Sequence, residues 1–493
     1  MTEVEQEQTW QARLAGQLVR WKLPLLVIAL VLGGVAFWPA QFLHLDESIE
    51  SFFAPDDPLL RDFLESKACF GGDELLLVGY ADADALDDEH LAKMREFADE
   101  LSAVPGINAA ATQHLAAMLQ PDGIAARTIM RFPSVREQVI EFSENVLISD
   151  DRQTVGIVLR LLPEKSAPVP RIETFRTVRQ LAAAHDPPAF VAGEPLQVHD
   201  MFRYVEQDSF LLGASSSALL IIVILILFRS FRWVALPLLV VHLSLVWTQA
   251  SLYVADVPLS MVSSMLTALV TIIGISVVMH MTVTYREFRE VMDRETAFRK
   301  STVALAEPIF WNVVTTMIGF ASLLSSTVAP VRSFGLMMTV GSGMVLVASM
   351  MVLPGGTLLG RWDADPRPTP SEHRLVAALH RLTAWLDRHH WPLLIANALV
   401  LIIGSFGLAK LTIETDFSKN FHSSSPIVQA LEFFETKLGG AGNWEVNFAV
   451  PEDLSSETLD KVRKLTEELR ALEMPDGTKL TKVVSLADGI DFI

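Results

Sequence analysis

The side chains best suited to chemistry in this 493-residue chain lie inside an apolar run. Residues 259–281 include Ser260, Ser263, Ser264, Thr267, Thr271, Ser276 and His280. Polar groups are costly in hydrocarbon, so their presence there is informative. Ser260, Ser264, Thr267 and Thr271 follow i, i+4, i+7 and i+11, the spacing of one helical face. Ser276 and His280, four apart, also face together. Two readings compete for this stripe. It either packs helices closely through small residues and hydroxyls, or forms a hydrated seam that faces a substrate or relays protons. His242 lies near the middle of the preceding apolar run, and histidine is the side chain type that changes charge most readily near neutral pH. It is either a neutral histidine bonded to a neighbouring helix or a proton carrier. The candidate coupling and transport residues are therefore Ser276, His280, His242, Thr267 and Thr271.

Other chemistries lack their residues. No G-x-x-x-x-G-K-[ST], H-E-x-x-H or G-x-S-x-G motif occurs, so neither nucleotide-driven work nor enzymatic hydrolysis is expected on this chain. The single cysteine, Cys69, excludes an intrachain disulfide, a zinc ribbon and an iron–sulfur site. Asp56-Asp57 and Asp87-Asp88-Glu89 read as solvated acidic faces or a helix start, because carboxylates without fixed geometry do not hold a metal. Neither a metal nor a cofactor is expected.

The elements that must position these groups follow from how charge and apolarity are segregated. The chain is 51% hydrophobic yet carries a formal charge of −19. Residues 45–207 hold 14 basic and 29 acidic side chains, and residues 411–493 hold 8 and 15. Between them, residues 208–410 hold 14 basic and 11 acidic. An acidic total argues against nucleic acid as a partner. Seven apolar runs are long enough to cross a bilayer, for which about 20 residues suffice: 23–43, 210–228, 233–254, 259–281, 309–328, 334–353 and 391–411. The middle five are joined by very short connections and should form one bundle. Arg229 and Arg232, the group Arg286, Arg289, Arg294, Arg299 and Lys300, and Arg361 through Arg388 all fall in alternate loops. Basic loops stay in the cytoplasm, which sends both acidic blocks to the exterior. No small-x-small cleavage site follows the first run, so it reads as a span and not as a removable signal peptide.

The chain also repeats itself. At an offset of 368, Arg13, Leu14, Leu18 and Arg20 meet Arg381, Leu382, Leu386 and Arg388, and Pro24-Leu25-Leu26 meets Pro392-Leu393-Leu394. Further on, Phe53, Pro58 and Gly71-Gly72 meet Phe421, Pro426 and Gly439-Gly440. A two-residue insertion then aligns the strand-like segments 74–80 and 445–450. One unit is an amphipathic helix, a span, an exterior domain and five more spans. The second unit is expected to be incomplete here, with the chain forming part of a longer duplicated protein or completed by another chain.

The first acidic block predicts strands at 74–80 and 154–162, helices at 87–104, 134–146 and 171–184, and a strand and turn at Phe190-Val191 and Gly193-Glu194-Pro195. Ser134 with Glu137 three residues later predicts a capping box. Strand–helix–strand used twice suggests a split βαβ sandwich. The domain plan is an amphipathic helix (1–22), a first span (23–43), an acidic α/β domain (45–207), five spans (208–360), a linker and second amphipathic helix (361–390), a seventh span (391–411) and the start of a second acidic domain (412–493).

Several stretches carry a family resemblance: Leu227-Phe228-Arg229-Ser230-Phe231-Arg232, Gly274-Ile275-Ser276-Val277-Val278-Met279-His280, Thr315-Thr316-Met317-Ile318-Gly319-Phe320, Pro330-Val331-Arg332-Ser333-Phe334-Gly335 and Leu353-Pro354. The chain resembles the resistance–nodulation–division (RND) permease superfamily, in its MMPL/Patched-like hydrophobe exporter branch with a sterol-sensing-type bundle. The resemblance implies an α-helical polytopic inner-membrane protein with periplasmic α/β porter domains, whose halves are parallel repeats. It implies proton-driven export of lipids or other amphiphiles. Its partners would be a lipid or hydrophobic small molecule, the membrane, and either further copies of the chain (a dimer or trimer) or a periplasmic protein. The family pattern carries an acid four residues before the histidine, and Ser276 occupies that position. A serine cannot ionise to shuttle a proton, so coupling would pass to His242, His280 or the other half. A non-pumping lipid or sterol sensor is the alternative, and a protein-export accessory factor is a third.

Overall fold

Apolar runs of about twenty residues become helices because a helix satisfies every backbone group internally. In the computed structural model of the protein, seven helices among the described residues are long and apolar enough to cross a membrane. The structure describes residues 10–43, 48–54, 56–70, 74–121, 130, 132–361, 372–408, 410–411, 421–442, 445–448, 455–473 and 479–491. In chain order the helices and strands are α1 (Trp10–Arg20), α2 (Lys22–Ala40), α3 (Pro58–Phe70), β1 (Leu75–Ala81), α4 (Asp88–Ser102), β2 (Gln113–His114), α5 (Leu115–Leu119), α6 (Pro133–Ser143), β3 (Thr154–Arg160), α7 (Arg171–Ala184) and β4 (Phe190–Ala192). They continue with α8 (Glu194–Phe228), α9 (Phe231–Val254), α10 (Ser264–Arg289), α11 (Arg294–Ala321), α12 (Ala329–Leu358), α13 (Glu372–Arg388), α14 (His390–Leu408), α15 (Pro426–Lys437), α16 (Ser456–Arg470) and α17 (Leu486–Asp491). Residues 1–57 and 202–413 form one unit, and residues 58–201 and 414–493 form the other.

In the helical unit, α12 is the hub, packed against α2, α9, α10 and α11. Glycine permits the closest crossings, as expected where lipid gives helices no hydrophobic reason to associate. A Cβ on Gly355 of α12 would sit 2.6 Å from the Lys22 carbonyl oxygen and 2.7 Å from Leu26 Cβ of α2. One on Gly274 of α10 would sit 2.8 Å from Val241 Cγ2 of α9. The amphipathic helix α1 buries Ala15 and Val19 and packs on α11 and α12. Gln11 donates to Glu307 at 3.3 Å, and Lys22 pairs with Glu295. By contrast, α14 buries none of its residues.

The other unit is built on a four-stranded sheet of order β2-β3-β1-β4. Every neighbouring pair is antiparallel, and α4 follows β1 while α7 follows β3. Side chains alternate across a strand, which gives the sheet two different faces. Leu76, Val78 and Tyr80 of β1 join Val155, Ile157 and Leu159 of β3 in one core with Leu91, Met94 and Phe97 of α4 and Phe175 and Val178 of α7. On the other face Gly79 pairs with Gly156 across the β1–β3 ladder, leaving a floor without side chains. There α15 lies down: Ala430, Phe434 and Leu438 are buried with Leu77, Phe190 and Phe433. Phe433 stacks on Phe190 with ring centroids 4.5 Å apart.

Three local expectations are corrected. Ser134 does not cap α6, which starts at Pro133 with no side-chain cap. Proline at the first position supplies the helical φ and lacks the N–H that a cap would satisfy. Residues 445–448 join no strand among the described residues, and a strand-like pattern becomes a strand only where a neighbouring strand pairs its backbone groups. The remainder of that segment, residues 449–450, lies outside the described residues, as do Gly71-Gly72 and most of the expected linker at 366–373. Finally, the helix that holds the apolar run 210–228 is longer than that run: α8 starts at Glu194. Its polar first half carries no membrane signature but is still helical.

One buried group in the α/β unit titrates with a readable consequence. His114 caps α5, its Nδ1 accepting from the Ala117 N–H at 3.3 Å. Burial, and then the nearby Arg95 guanidinium, hold its pKa below the ordinary 6.5, against a smaller opposing pull from Asp99. Folding therefore favours the neutral ring. Its contribution is fully present above the unfolded pKa of 6.5 and is lost as pH falls through the lowered folded value. Thermal unfolding of the α/β unit should show a falling midpoint as pH drops below about 6.5. His114→Asn, which keeps a cap acceptor without titrating, should flatten that slope. An unchanged slope in the variant would assign it to other groups.

Candidate functional site

Helix α10 carries four of the five residues singled out by type and spacing, and its start differs from the expected one. Ser260 is not on its face. It is the N-cap of a short 3-10 turn (Met261–Ser263), with reciprocal hydrogen bonds between Ser260 and Ser263. The Ser263 hydroxyl accepts from the Ser260 N–H at 2.8 Å and lies 3.0 Å from Met337 Sδ. Ser/Thr side chains that bond nearby backbone compete with the helix, so the serine-rich start forms a cap before α10 begins at Ser264.

Within α10, Thr271 is buried and its Oγ1 donates to the Thr267 carbonyl at 2.6 Å. Thr282 donates to the Val278 carbonyl at 2.7 Å. The neighbouring helices repeat the pattern: Ser244 to Val240 (2.6 Å), Thr248 to Ser244 (2.6 Å) and Ser342 to Met338 (2.7 Å). A hydroxyl turned onto its own helix behaves as a small packing residue, and this is the first of the two readings left open by the spacing. Thr267 is half-buried, and Gly213 of α8 approaches it closely enough that a Cβ there would lie 3.5 Å from Thr267 Cγ2.

Ser276 is half-buried, and among the described residues no hydrogen bond joins it to His280 or His242. His280 and His242 are both exposed on the helical unit. His242 Nδ1 lies 2.8 Å from the Leu238 carbonyl one turn back, so it bonds its own helix and not a neighbour. If that carbonyl holds the Nδ1 proton, Nε2 is left as the free acceptor. The three residues thus form no hydrogen-bonded constellation among the described residues. Met337 and Met338 fill the interior beside Val270, Val277 and Val345. Among the described residues no group of three or more His, Cys, Asp and Glu is placed to hold a metal ion.

The interior polar atoms of the unit that stand without a partner are ones that type and spacing did not single out. Ser230 Oγ, Trp233 Nε1, Trp247 Nε1 and Ser349 Oγ are buried with no hydrogen-bond partner among the described residues. Trp233 and Tyr285 are both buried, with ring centroids 5.4 Å apart. The sequence signal was available, since tryptophan in a span has an N–H to satisfy, but nothing in it distinguishes an interior ring from one at the membrane surface.

A second unsignalled feature closes the end of α12. A helix leaves its last four carbonyls without intrahelical partners. Arg232 of α9 donates from Nε to the Gly356 carbonyl at 2.7 Å and from Nη2 to the Leu359 carbonyl at 2.5 Å. Arg294 of α11 donates to the Gly360 and Thr357 carbonyls, each at 2.8 Å. Two residues whose loop position gave only orientation thus act as a shared cap, with the charge sign that suits a helix C-terminus.

Comparison with known proteins agrees with this architecture. A membrane protein of Methanocaldococcus jannaschii is 20% identical over 352 residues, covering 67% of this chain and 88% of that protein. The MMPL family model matches residues 67–395, a stretch that holds the sheet, the glycine-packed bundle and the hydroxyl-lined α10. This multi-pass membrane protein belongs to the MMPL family.

Proposed function

We propose that the protein is a secondary transporter of RND type that moves lipids or other hydrophobic or amphiphilic molecules out of the inner membrane, driven by protons. The observation that carries this reading is the family match, which runs unbroken through both the α/β unit and the bundle. In this reading the basic loops, among them Arg286, Arg289 and Arg299, face the cytoplasm. The acidic α/β unit stands outside, where it handles cargo without covalent chemistry. Further copies of the chain or a periplasmic protein complete the pathway. Proton coupling through this chain uses His280, one turn from Ser276, with His242 as the second titratable group within the spans.

One observation favours a second reading, a lipid sensor that does not pump. The position four residues before His280 is Ser276, and the α10 hydroxyls Thr271 and Thr282 bond their own backbone. Reconstitution into liposomes with a fluorescent lipid analogue separates the two. Transport predicts movement that rises under an imposed pH gradient and falls on the order of tenfold or more in His280→Ala, with a smaller loss in His242→Ala. Movement indifferent to the gradient and to both substitutions would remove proton coupling. Lipid binding without movement would leave the sensor.

A further inference from the structure

The ends of the helices set one residue apart. A residue in the left-handed region just past a helix is usually glycine, which has no Cβ to strain. Helices α12 and α15 end in this way, on Gly360 (φ 71°) and Gly439 (φ 77°). Helix α9 uses Asp256 (φ 54°), a type whose short polar side chain tolerates the conformation. Helix α8 instead uses Arg229 (φ 50°), whose N–H donates to the Leu225 carbonyl at 2.8 Å. That bond is the one expected at this cap position, so α8 itself sets the conformation and not a distant neighbour.

Arginine in the left-handed region is costly, and the compensation is sought in its side chain. The chain holds a second example, Arg152 (φ 57°), where the compensation is visible. The Arg152 guanidinium donates to Glu137 at 2.6 Å and to Glu144 at 3.4 Å. Arg229 is exposed and, among the described residues, its side chain has no hydrogen bond or ion pair. No Asp or Glu occurs between Asp208 and Asp256. Only Arg229 and Ser230 join α8 to α9, and both helices are long and apolar enough to cross a membrane. A two-residue connection between spans holds Arg229 at the bilayer surface. Ser230 is buried, and Arg232 donates to the carbonyls at the end of α12. Phe231, by contrast, is 65% exposed.

We propose that Arg229 binds the phosphate of an anionic phospholipid, with Phe231 against the acyl chain. A cation beside an exposed aromatic ring suits the boundary of headgroup and acyl chain. The left-handed turn presents a planar guanidinium, whose parallel donors match two phosphate oxygens. Anionic lipid attracts an arginine held near the surface, a gain of roughly fivefold in occupancy. The proposal needs α8 and α9 to span the membrane. It rests neither on transport nor on which side the turn faces.

Thermal unfolding of the full chain in detergent tests this, with phosphatidylglycerol, phosphatidylcholine or inorganic phosphate added. Without lipid, Arg229→Gly should melt about 2–4 °C above wild type, because glycine removes the cost of the left-handed turn. Arg229→Gln, which keeps that cost, should melt with wild type. Phosphatidylglycerol should raise the wild-type midpoint about 2–4 °C further than phosphatidylcholine does. Both variants should lose that difference. Native mass spectrometry should show roughly fivefold weaker retention of phosphatidylglycerol by Arg229→Gln than by wild type. A lipid difference that persists in Arg229→Gln would overturn the proposal. So would an equal rise with inorganic phosphate, which would make the ligand a free anion, or no rise in wild type, which would leave Arg229 to a protein partner. An Arg229→Gly midpoint at or below wild type without lipid would show that the turn carries no strain, and would overturn it too.

Discussion

Phe434→Ala should raise amide exchange throughout α15 by two orders of magnitude or more, without loosening α4 or α7. Phe434 is 1% exposed and sits over the Gly79–Gly156 floor. A Cβ at Gly79 would lie 2.9 Å from Phe434 Cε1. Truncating a buried phenylalanine costs about 3–5 kcal/mol. The loss should be local, because Ala430, Phe434 and Leu438 hold one helix to a sheet whose other face has its own core. Phe434→Leu should recover most of the protection, since it refills most of the volume. Gly79→Val should reproduce the defect from the sheet side, as the ring at 2.9 Å has Phe433 and Phe190 beside it. Hydrogen-exchange mass spectrometry of the full chain reads all three. Wild-type exchange in Phe434→Ala would mean that α15 does not cover the sheet.

The second large effect belongs to Arg232. Arg232→Met should lower the melting midpoint of the helical unit by roughly 10 °C, corresponding to about 3 kcal/mol. Arg232 is buried, and the Gly356 and Leu359 carbonyls to which it donates lie at the end of α12. Methionine keeps much of the apolar stem but leaves Gly356 and Leu359 without donors, and hydrogen bonds from charged groups contribute about 1.5–3 kcal/mol each. Arg232→Lys should rescue only part of the loss, because one ammonium cannot span two carbonyls as a planar fork does. Arg294→Met should have a smaller effect, since that residue is less enclosed and its Gly360 bond is exposed. Thermal unfolding in detergent, followed by circular dichroism, distinguishes these outcomes. Equal midpoints for wild type and Arg232→Met would remove the cap from the stability of the bundle.

The candidate site divides differently between what was legible and what was not. The hydroxyl stripe of α10 was visible as a spacing, but its chemistry was not. Thr271 and Thr282 could have bonded across helices or along their own, and the structure puts their acceptors, the Thr267 and Val278 carbonyls, on their own helix. Ser260 illustrates why: its spacing fits the helical face, yet the helix begins four residues later because Ser263 offers a reciprocal cap. For His242 and His280, the sequence supplied titratable groups in spans and the fold supplied their exposure. Exposure depends on which helix lies alongside, and periodicity does not carry that.

The sequence alone determined the segregation of the chain into apolar spans and acidic blocks, since hydrocarbon accepts only runs that satisfy their own backbone. It located β1, β3, α4, α6 and α7 of the α/β unit to within a few residues, as for Arg171–Ala184 and Leu75–Ala81, because alternation and helical periodicity are local properties, but not α3, β2, α5, α15 or α16. It also indicated the MMPL family through short motifs. Tertiary structure decided what depends on residues far apart. A helix beginning at Pro426 covers a sheet whose first strand begins at Leu75, and two arginines from other helices cap α12. The glycines show the reason. Gly79, Gly274 and Gly355 look alike in sequence, where each records only a missing side chain. What fills the space of that side chain, a phenylalanine, a valine or a backbone carbonyl, is a property of the packed neighbour.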